Sequence, residues 1–140
     1  MNIGFLGLGK LGLPVRLAVE EKGHKIFGYD ISKQTLDDIR NKKIRYREEW
    51  VDKYLPNTKL QINDINQLVK NSEIIFVPIQ TPHNPQYEGI TRIPDKRIDF
   101  DYSFLKAGIK DLSNAIEKNG EDKVVIIIST VLPGTIRTQI

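Results

Sequence analysis

The feature that most restricts this chain's fold is a glycine pattern near the N-terminus, Gly7-Leu8-Gly9-Lys10-Leu11-Gly12. It stands between two segments of different period. Residues 2–7 are short, apolar and end in glycine, as a strand buried on both faces does. From about Lys10 to Lys22, the spacing of Leu11, Val15, Ala18 and Val19 predicts a helix with those residues on one face. Pro14 falls about one turn in, near where a missing N–H is tolerated. Gly23 closes the helix, and Lys25 to Asp30 reads as a second strand. An acid therefore ends the next strand, 18 residues past Gly12.

Each part of that frame has a reason. Gly7 permits a tight turn, Gly9 lets the backbone approach a pyrophosphate, and Gly12 lets the helix lie close to the strand. The helix N-terminus offers N–H groups and a partial positive charge to phosphates. Asp30 is placed to accept hydrogen bonds from an adenosine ribose, and its charge repels a 2′-phosphate. NAD is thus expected in preference to NADP. The plainer alternative is glycines that serve only a strand–helix turn, with Asp30 an ordinary helix-capping acid.

The rest of the chain repeats the alternation. Ser32 can cap a helix that turns Leu36 and Ile39 inward. Lys59 to Ile62 is a third strand, followed by a short helix carrying Ile65, Leu68 and Val69. Glu73 to Ile79 is a fourth. From Gln80 to Asp99 periodicity stops, amid Pro82, Pro85 and Pro94, and a loop that long is usually functional or mobile. Leu105, Ile109, Leu112 and Ile116 then mark a helix running to about Lys118. Lys123 to Ser129 is a fifth strand, and Pro133 with Gly134 opens a further helix. Alternating strands and helices imply an α/β, doubly wound parallel sheet of the Rossmann kind. About five of the six usual strands are present, which leaves a mildly apolar edge beyond the fifth.

Composition narrows the function. Apolar residues at 39% and charged residues at 28% suit a globular domain. The longest apolar run, Val124 to Ile128, is far short of the roughly 20 residues of a bilayer span. The N-terminus does not resemble a signal peptide, so a cytoplasmic protein without a membrane partner is expected. With no cysteine there is no disulfide, thiolate metal site or thiol nucleophile, and no other metal site is evident. The net charge of +3 owes much to Arg40, Lys42, Lys43, Arg45 and Arg47. This cluster reads as a solvated helix end and loop, and no nucleic-acid partner is expected. Asp37-Asp38 and Glu48-Glu49 read as solvated pairs, and His24 as a turn residue.

Two further motifs fall at strand ends. Val77-Pro78-Ile79-Gln80-Thr81-Pro82 follows the fourth, and Ser129-Thr130-Val131-Leu132-Pro133-Gly134-Thr135 the fifth. Each alone is equally well explained by turn prolines and helix-capping hydroxyls. Together with Gly7–Gly12 and Gly28-Tyr29-Asp30-Ile31, they resemble the UDP-glucose/GDP-mannose dehydrogenase family. The resemblance covers nearly the whole chain, but only that family's N-terminal, NAD-binding domain. Its most specific piece is Ser-Thr-Val-Leu-Pro-Gly-Thr.

The resemblance implies that Gly7, Leu8, Gly9, Lys10, Leu11 and Gly12 cradle the pyrophosphate and that Asp30 holds the adenosine ribose. It places Ile79, Thr81 and Pro82 beside the ribose and nicotinamide, and Ser129, Thr130 and Val131 against the nicotinamide and the reacting sugar. Thr130 takes a supporting catalytic role, its hydroxyl near a bound water. Family members oxidise the C6 alcohol of a nucleotide sugar to a carboxylate, using NAD twice and a thioester on a cysteine. They serve polysaccharide precursor synthesis and usually form homo-oligomers. By this reading residues 1–140 are one NAD-binding domain, and the nucleophile and sugar-binding half belong to segments beyond Ile140.

The chain departs from the family in three places. Thr35 stands where a basic residue is common, although Lys33 is near, and the stretch from His83 to Phe100 is long. An extra residue precedes Thr81-Pro82. His83, Tyr87, Arg92, Lys96 and Arg97 in the long stretch are candidates to meet an anionic nucleotide sugar, against the plainer reading of exposed loop residues. Two other functions remain open at this point. One is the cofactor domain of a β-hydroxyacid or 6-phosphogluconate-type dehydrogenase, and the other is a stand-alone, non-catalytic NAD-binding module.

Overall fold

A computed structural model describes residues 1–62, 64–90 and 92–140. Its strands are β1 (Asn2–Leu6), β2 (Lys25–Tyr29), β3 (Gln61–Ile62), β4 (Ile74–Val77) and β5 (Val124–Ile127). The helices are α1 (Gly12–Glu21), α2 (Lys33–Arg40), α3 (Val51–Tyr54), α4 (Ile65–Asn71), α5 (Ser103–Asn119) and α6 (Thr135–Thr138). All strand pairs are parallel, in the order β3-β2-β1-β4-β5. The sheet is doubly wound and parallel with five strands, as the sequence leads one to expect.

The order has one consequence for function. The chain winds outward from β1 to β2 and β3, then returns to lay β4 on the other side of β1. Connections from β1 and β4 therefore diverge, and a crevice opens between their C-terminal ends. Register keeps the ends level: Leu6 lies opposite Tyr29, Phe5 opposite Phe76, and Val77 opposite Ile127.

Side-chain alternation along β1 feeds two cores. Ile3 and Phe5 join Leu13, Leu17, Ile39, Val51 and Leu55 beneath α1, α2 and α3. Leu6 points to the other face, with Leu68, Val69, Ile75, Leu105 and Leu112 beneath α4 and α5. A side chain as fully buried as Phe5 or Leu68 contributes about 2 kcal/mol from area removed from water. The Phe5 and Phe76 rings stack across adjacent strands at 5.2 Å.

The face of α1 differs from the expectation. Leu11 is 47% exposed and Ala18 is exposed, while Val15 and Val19 pack only partly against the core. The buried residues are Gly12, Leu13, Arg16 and Leu17. Apolar spacing allows both stripes, and the close approach of the Gly12 backbone to the first strand's end selects the second.

The cost of that choice is a buried cation. Arg16 has 0% exposure, and its Nη1 donates to Thr58 Oγ1 at 2.7 Å and to Glu20 Oε2 at 3.4 Å. Glu20 also accepts from the Thr58 hydroxyl at 2.5 Å and from the Lys59 N–H at 2.6 Å. Burial pulls the Arg16 pKa from its ordinary value down to about 10, against the attraction of Glu20, so the group stays charged near neutrality.

Smaller differences follow from local chemistry. β3 has two residues rather than the expected four, and α6 is a single turn. The sequence reading omitted α3 and the 3-10 turn Leu55–Asn57, whose Val51 and Leu55 are buried. The cap on α2 is as expected, with Ser32 Oγ accepting the Thr35 N–H at 3.2 Å. β5 is a sheet edge with Val124 and Val125 exposed.

Candidate functional site

The segment after β1 is set by backbone geometry. Gly7 has φ of +117°, a conformation that L side chains rarely adopt, and its N–H donates to the Tyr29 carbonyl at 2.8 Å. A Cβ on Gly12 would collide with the Gly7 carbonyl oxygen and lie 2.8 Å from Pro78 Cγ. Around Gly9 the space is open, with no atom within 4 Å of a Cβ position. The middle glycine thus leaves room beside the start of α1, where a diphosphate has to approach backbone. These residues fit such a group.

Asp30 locks the ends of β1 and β2 together. Its Oδ2 accepts the Leu8 N–H at 2.7 Å and its Oδ1 accepts the Ser32 N–H at 2.8 Å. An ionised carboxylate has about four acceptor positions, so each oxygen retains capacity for a ribose hydroxyl. Lys10 brings a positive charge to the same loop, its Nζ 5.9 Å from the centre of the Tyr46 ring.

The segments after β4 and β5 are held by side-chain hydroxyls instead. Ser129 Oγ donates to the Val77 carbonyl at 3.1 Å, and Thr81 Oγ1 donates to the Thr130 carbonyl at 2.6 Å. Tyr102, just before α5, donates to Asp99 Oδ1 at 2.5 Å and accepts from the Leu132 N–H at 3.2 Å. That hydrogen bond holds the Asp99 carboxyl below the usual carboxylate range. Pro78 joins the two halves of the edge by packing against Gly7 and Gly12.

All the sequence-selected cofactor residues therefore reach one edge of the sheet. Gly7 to Gly12 and Asp30 follow β1 and β2, Ile79, Thr81 and Pro82 follow β4, and Ser129, Thr130 and Val131 follow β5. The long loop is different, because its contacts are mostly internal. The Tyr87 hydroxyl donates to the Lys96 carbonyl at 2.5 Å, Arg97 Nη1 to the Pro94 carbonyl at 3.2 Å, and Arg92 lies 4.0 Å from Asp95. His83, Arg92, Lys96 and Arg97 are exposed; Thr91, in the same stretch, lies outside the described residues. His24 is at the opposite edge, lining a cleft of about 610 Å³ with Glu20, Lys25, Lys53, Tyr54 and Lys59.

Sequence reasoning named Pro78 within the motif after the fourth strand without a role for it, and missed Tyr102 and Gly108. A Cβ on Gly108 would strike the Ile79 side chain, so this helical glycine makes room for the segment after β4. Its only sequence signal was a glycine inside a helical pattern. Among the described residues no group of three or more His, Cys, Asp or Glu is placed to hold a metal ion. No helix among them is long and apolar enough to cross a membrane.

A doubly wound sheet with a glycine loop after its first strand and an acid after its second defines the class of dinucleotide-binding domains. The chain belongs to the UDP-glucose/GDP-mannose dehydrogenase family, whose NAD-binding-domain model matches residues 1–140. It is 28% identical over 139 residues to UDP-N-acetyl-D-mannosamine dehydrogenase of Pyrococcus horikoshii, covering 96% of this chain and 30% of that protein. It is 25% identical over 145 residues to GDP-mannose 6-dehydrogenase of Pseudomonas aeruginosa, covering 100% of this chain and 31% of that one. A ternary-complex structure of GDP-mannose dehydrogenase from Pseudomonas aeruginosa superposes with a TM-score of 0.82 at 25% identity, covering 99% of this chain and 30% of that one. The chain thus spans about three-tenths of the length of the curated relatives it matches. Their substrates are nucleotide sugars by name, and the small-hydroxyacid alternative is not favoured.

Proposed function

We propose that this chain is the cofactor half of a nucleotide-sugar 6-dehydrogenase and binds NAD across the crevice between β1 and β4. The observation that carries the reading is the strand order, which puts the glycine loop, Asp30 and the Thr81 and Ser129 segments on one edge. Bound NAD supplies a hydride acceptor for oxidation of the sugar's C6 alcohol. The chain's own residues orient it. Gly7 to Gly12 present backbone N–H groups and the α1 dipole to the diphosphate, and Lys10 adds a cation. Asp30 receives the adenosine ribose hydroxyls. Thr81 and Pro82, with Ser129 to Val131, border the nicotinamide, and the Thr130 hydroxyl holds a water near the reacting sugar.

Covalent capture of the aldehyde requires a thiolate, and the chain contains no cysteine. Its share of the reaction is therefore cofactor binding. Residues 1–140 act as one domain of a cytoplasmic homo-oligomer whose remaining length carries the nucleophile and the sugar site. We expect the purified chain to bind NAD and to oxidise no UDP- or GDP-sugar; any turnover would sink this division of labour. Titration with NAD and NADP tests the cofactor reading. Asp30→Asn should weaken NAD about tenfold and narrow its advantage over NADP, since bonds to a charged acceptor contribute about 1.5 kcal/mol. Equal loss for both cofactors would count against the ribose role.

A further inference from the structure

We propose that Tyr102 is a positioning residue for the nicotinamide half of the site, acting through the segment after β5. The inference rests on the NAD reading above and adds a residue outside both motifs. Tyr102 is 4% exposed, and its hydroxyl joins three parts of the chain. It donates to Asp99 Oδ1 at 2.5 Å, accepts the Leu132 N–H at 3.2 Å, and lies 3.4 Å from the Thr135 hydroxyl, which donates to it. Gln139 Nε2 reaches the second Asp99 oxygen at 3.4 Å. The base of the long loop is closed alongside by the Asp101 N–H donating to the Pro82 carbonyl at 2.8 Å.

Placed in order along the chain, these contacts form two sets of pins. Ser129 and Thr130 are held at the sheet by Val77 and Thr81. Leu132 and Thr135 are held at the far end by Tyr102. Between the pins stands Val131, beside the exposed Thr130 side chain, at the surface assigned to the nicotinamide. Without the far pins the segment leads into a single-turn helix, which is too short to orient it alone. A phenol suits the task, because one buried oxygen donates and accepts at once.

The test separates the halves of the cofactor. NADH carries the whole cofactor, whereas ADP-ribose has the adenosine, the diphosphate and the second ribose but lacks the nicotinamide ring. NADH binding is followed by nicotinamide fluorescence, and ADP-ribose binding by calorimetry. Tyr102→Phe keeps the ring and removes the hydroxyl; we expect NADH affinity to fall about fivefold, the effect of the lost bond to the Leu132 N–H on the segment after β5, while ADP-ribose changes less than about twofold. Asp99→Ala, at an exposed position, should shift NADH in the same direction by a smaller factor, and decides the matter if the Phe variant fails to fold. Equal losses for both ligands, or no loss for NADH, overturn the positioning role while leaving the NAD reading standing. If the unmodified chain binds neither ligand, the NAD reading fails and this inference fails with it.

Discussion

The edge after β1 and β2 and the edge after β4 and β5 solve the same problem by different means. At the first, backbone and one carboxylate do the holding: the Gly7 N–H meets the Tyr29 carbonyl, the Leu8 N–H meets the Asp30 side chain, and Gly12 lies where a side chain would collide. At the second, hydroxyls do it, from Thr81, Ser129 and Tyr102. The difference teaches what kind of damage each tolerates. A backbone-built loop has no slack, because moving one atom moves the strand, helix and proline it touches. A hydroxyl-built seam loses one hydrogen bond at a time and lets water replace it.

Gly12→Ala should therefore have the largest effect at the cofactor edge, about 3 kcal/mol of stability with loss of NAD binding. Thermal melting by circular dichroism with NAD titration checks it, and a well-folded, NAD-binding variant would remove the backbone argument. Glu20→Ala comes next, as a control away from either edge. It leaves buried Arg16 without its counter-charge and should also cost about 3 kcal/mol. NAD affinity per folded molecule should stay unchanged, so the two variants separate fold damage from site damage. Because the folded pKa of Arg16 is lowered to about 10, folded and unfolded chains both keep its proton below that pH. Stability gains from its release only above pH 10, and this group adds no slope between pH 6 and 9.

Thr81→Val should cost only about 1 kcal/mol, a fall of about 3 °C in Tm, because one neutral hydrogen bond to the Thr130 carbonyl is lost. A loss as large as that of Gly12→Ala would break the contrast between the edges. The smallest effect concerns acid. The Tyr102 hydroxyl holds the Asp99 carboxyl below its ordinary value, so this acid contributes stability above the usual carboxylate range. That contribution disappears as pH falls through the depressed folded value. Melting of the unmodified chain and Asp99→Asn from pH 6 to pH 3 should show a small difference that shrinks toward the acid end.

How much was legible follows the same division. The glycine loop, its strand and helix, Asp30 and the Ser32 cap all rest on residues close in sequence, and local rules reached them. The inward face of α1 was misjudged because Leu11–Val15 and Leu13–Leu17 have the same spacing, and Gly12's close approach to Gly7 and Pro78 distinguishes them. Arg16 was overlooked because a buried arginine depends on Thr58, 42 residues away. Tyr102 lay beyond reach for the same reason, its partner Leu132 being 30 residues distant and unmarked by any period.

The sequence by itself determined the alternation of strands and helices, the glycine turn and the acid that closes it. These depend on side-chain periodicity and on one residue type's freedom in φ, both properties of short segments. Tertiary structure decided which stripe of α1 faces inward, what pairs the buried guanidinium, and how the segments after β4 and β5 are tied. Those outcomes require groups distant along the chain to meet across the sheet, and the strand order brings them together.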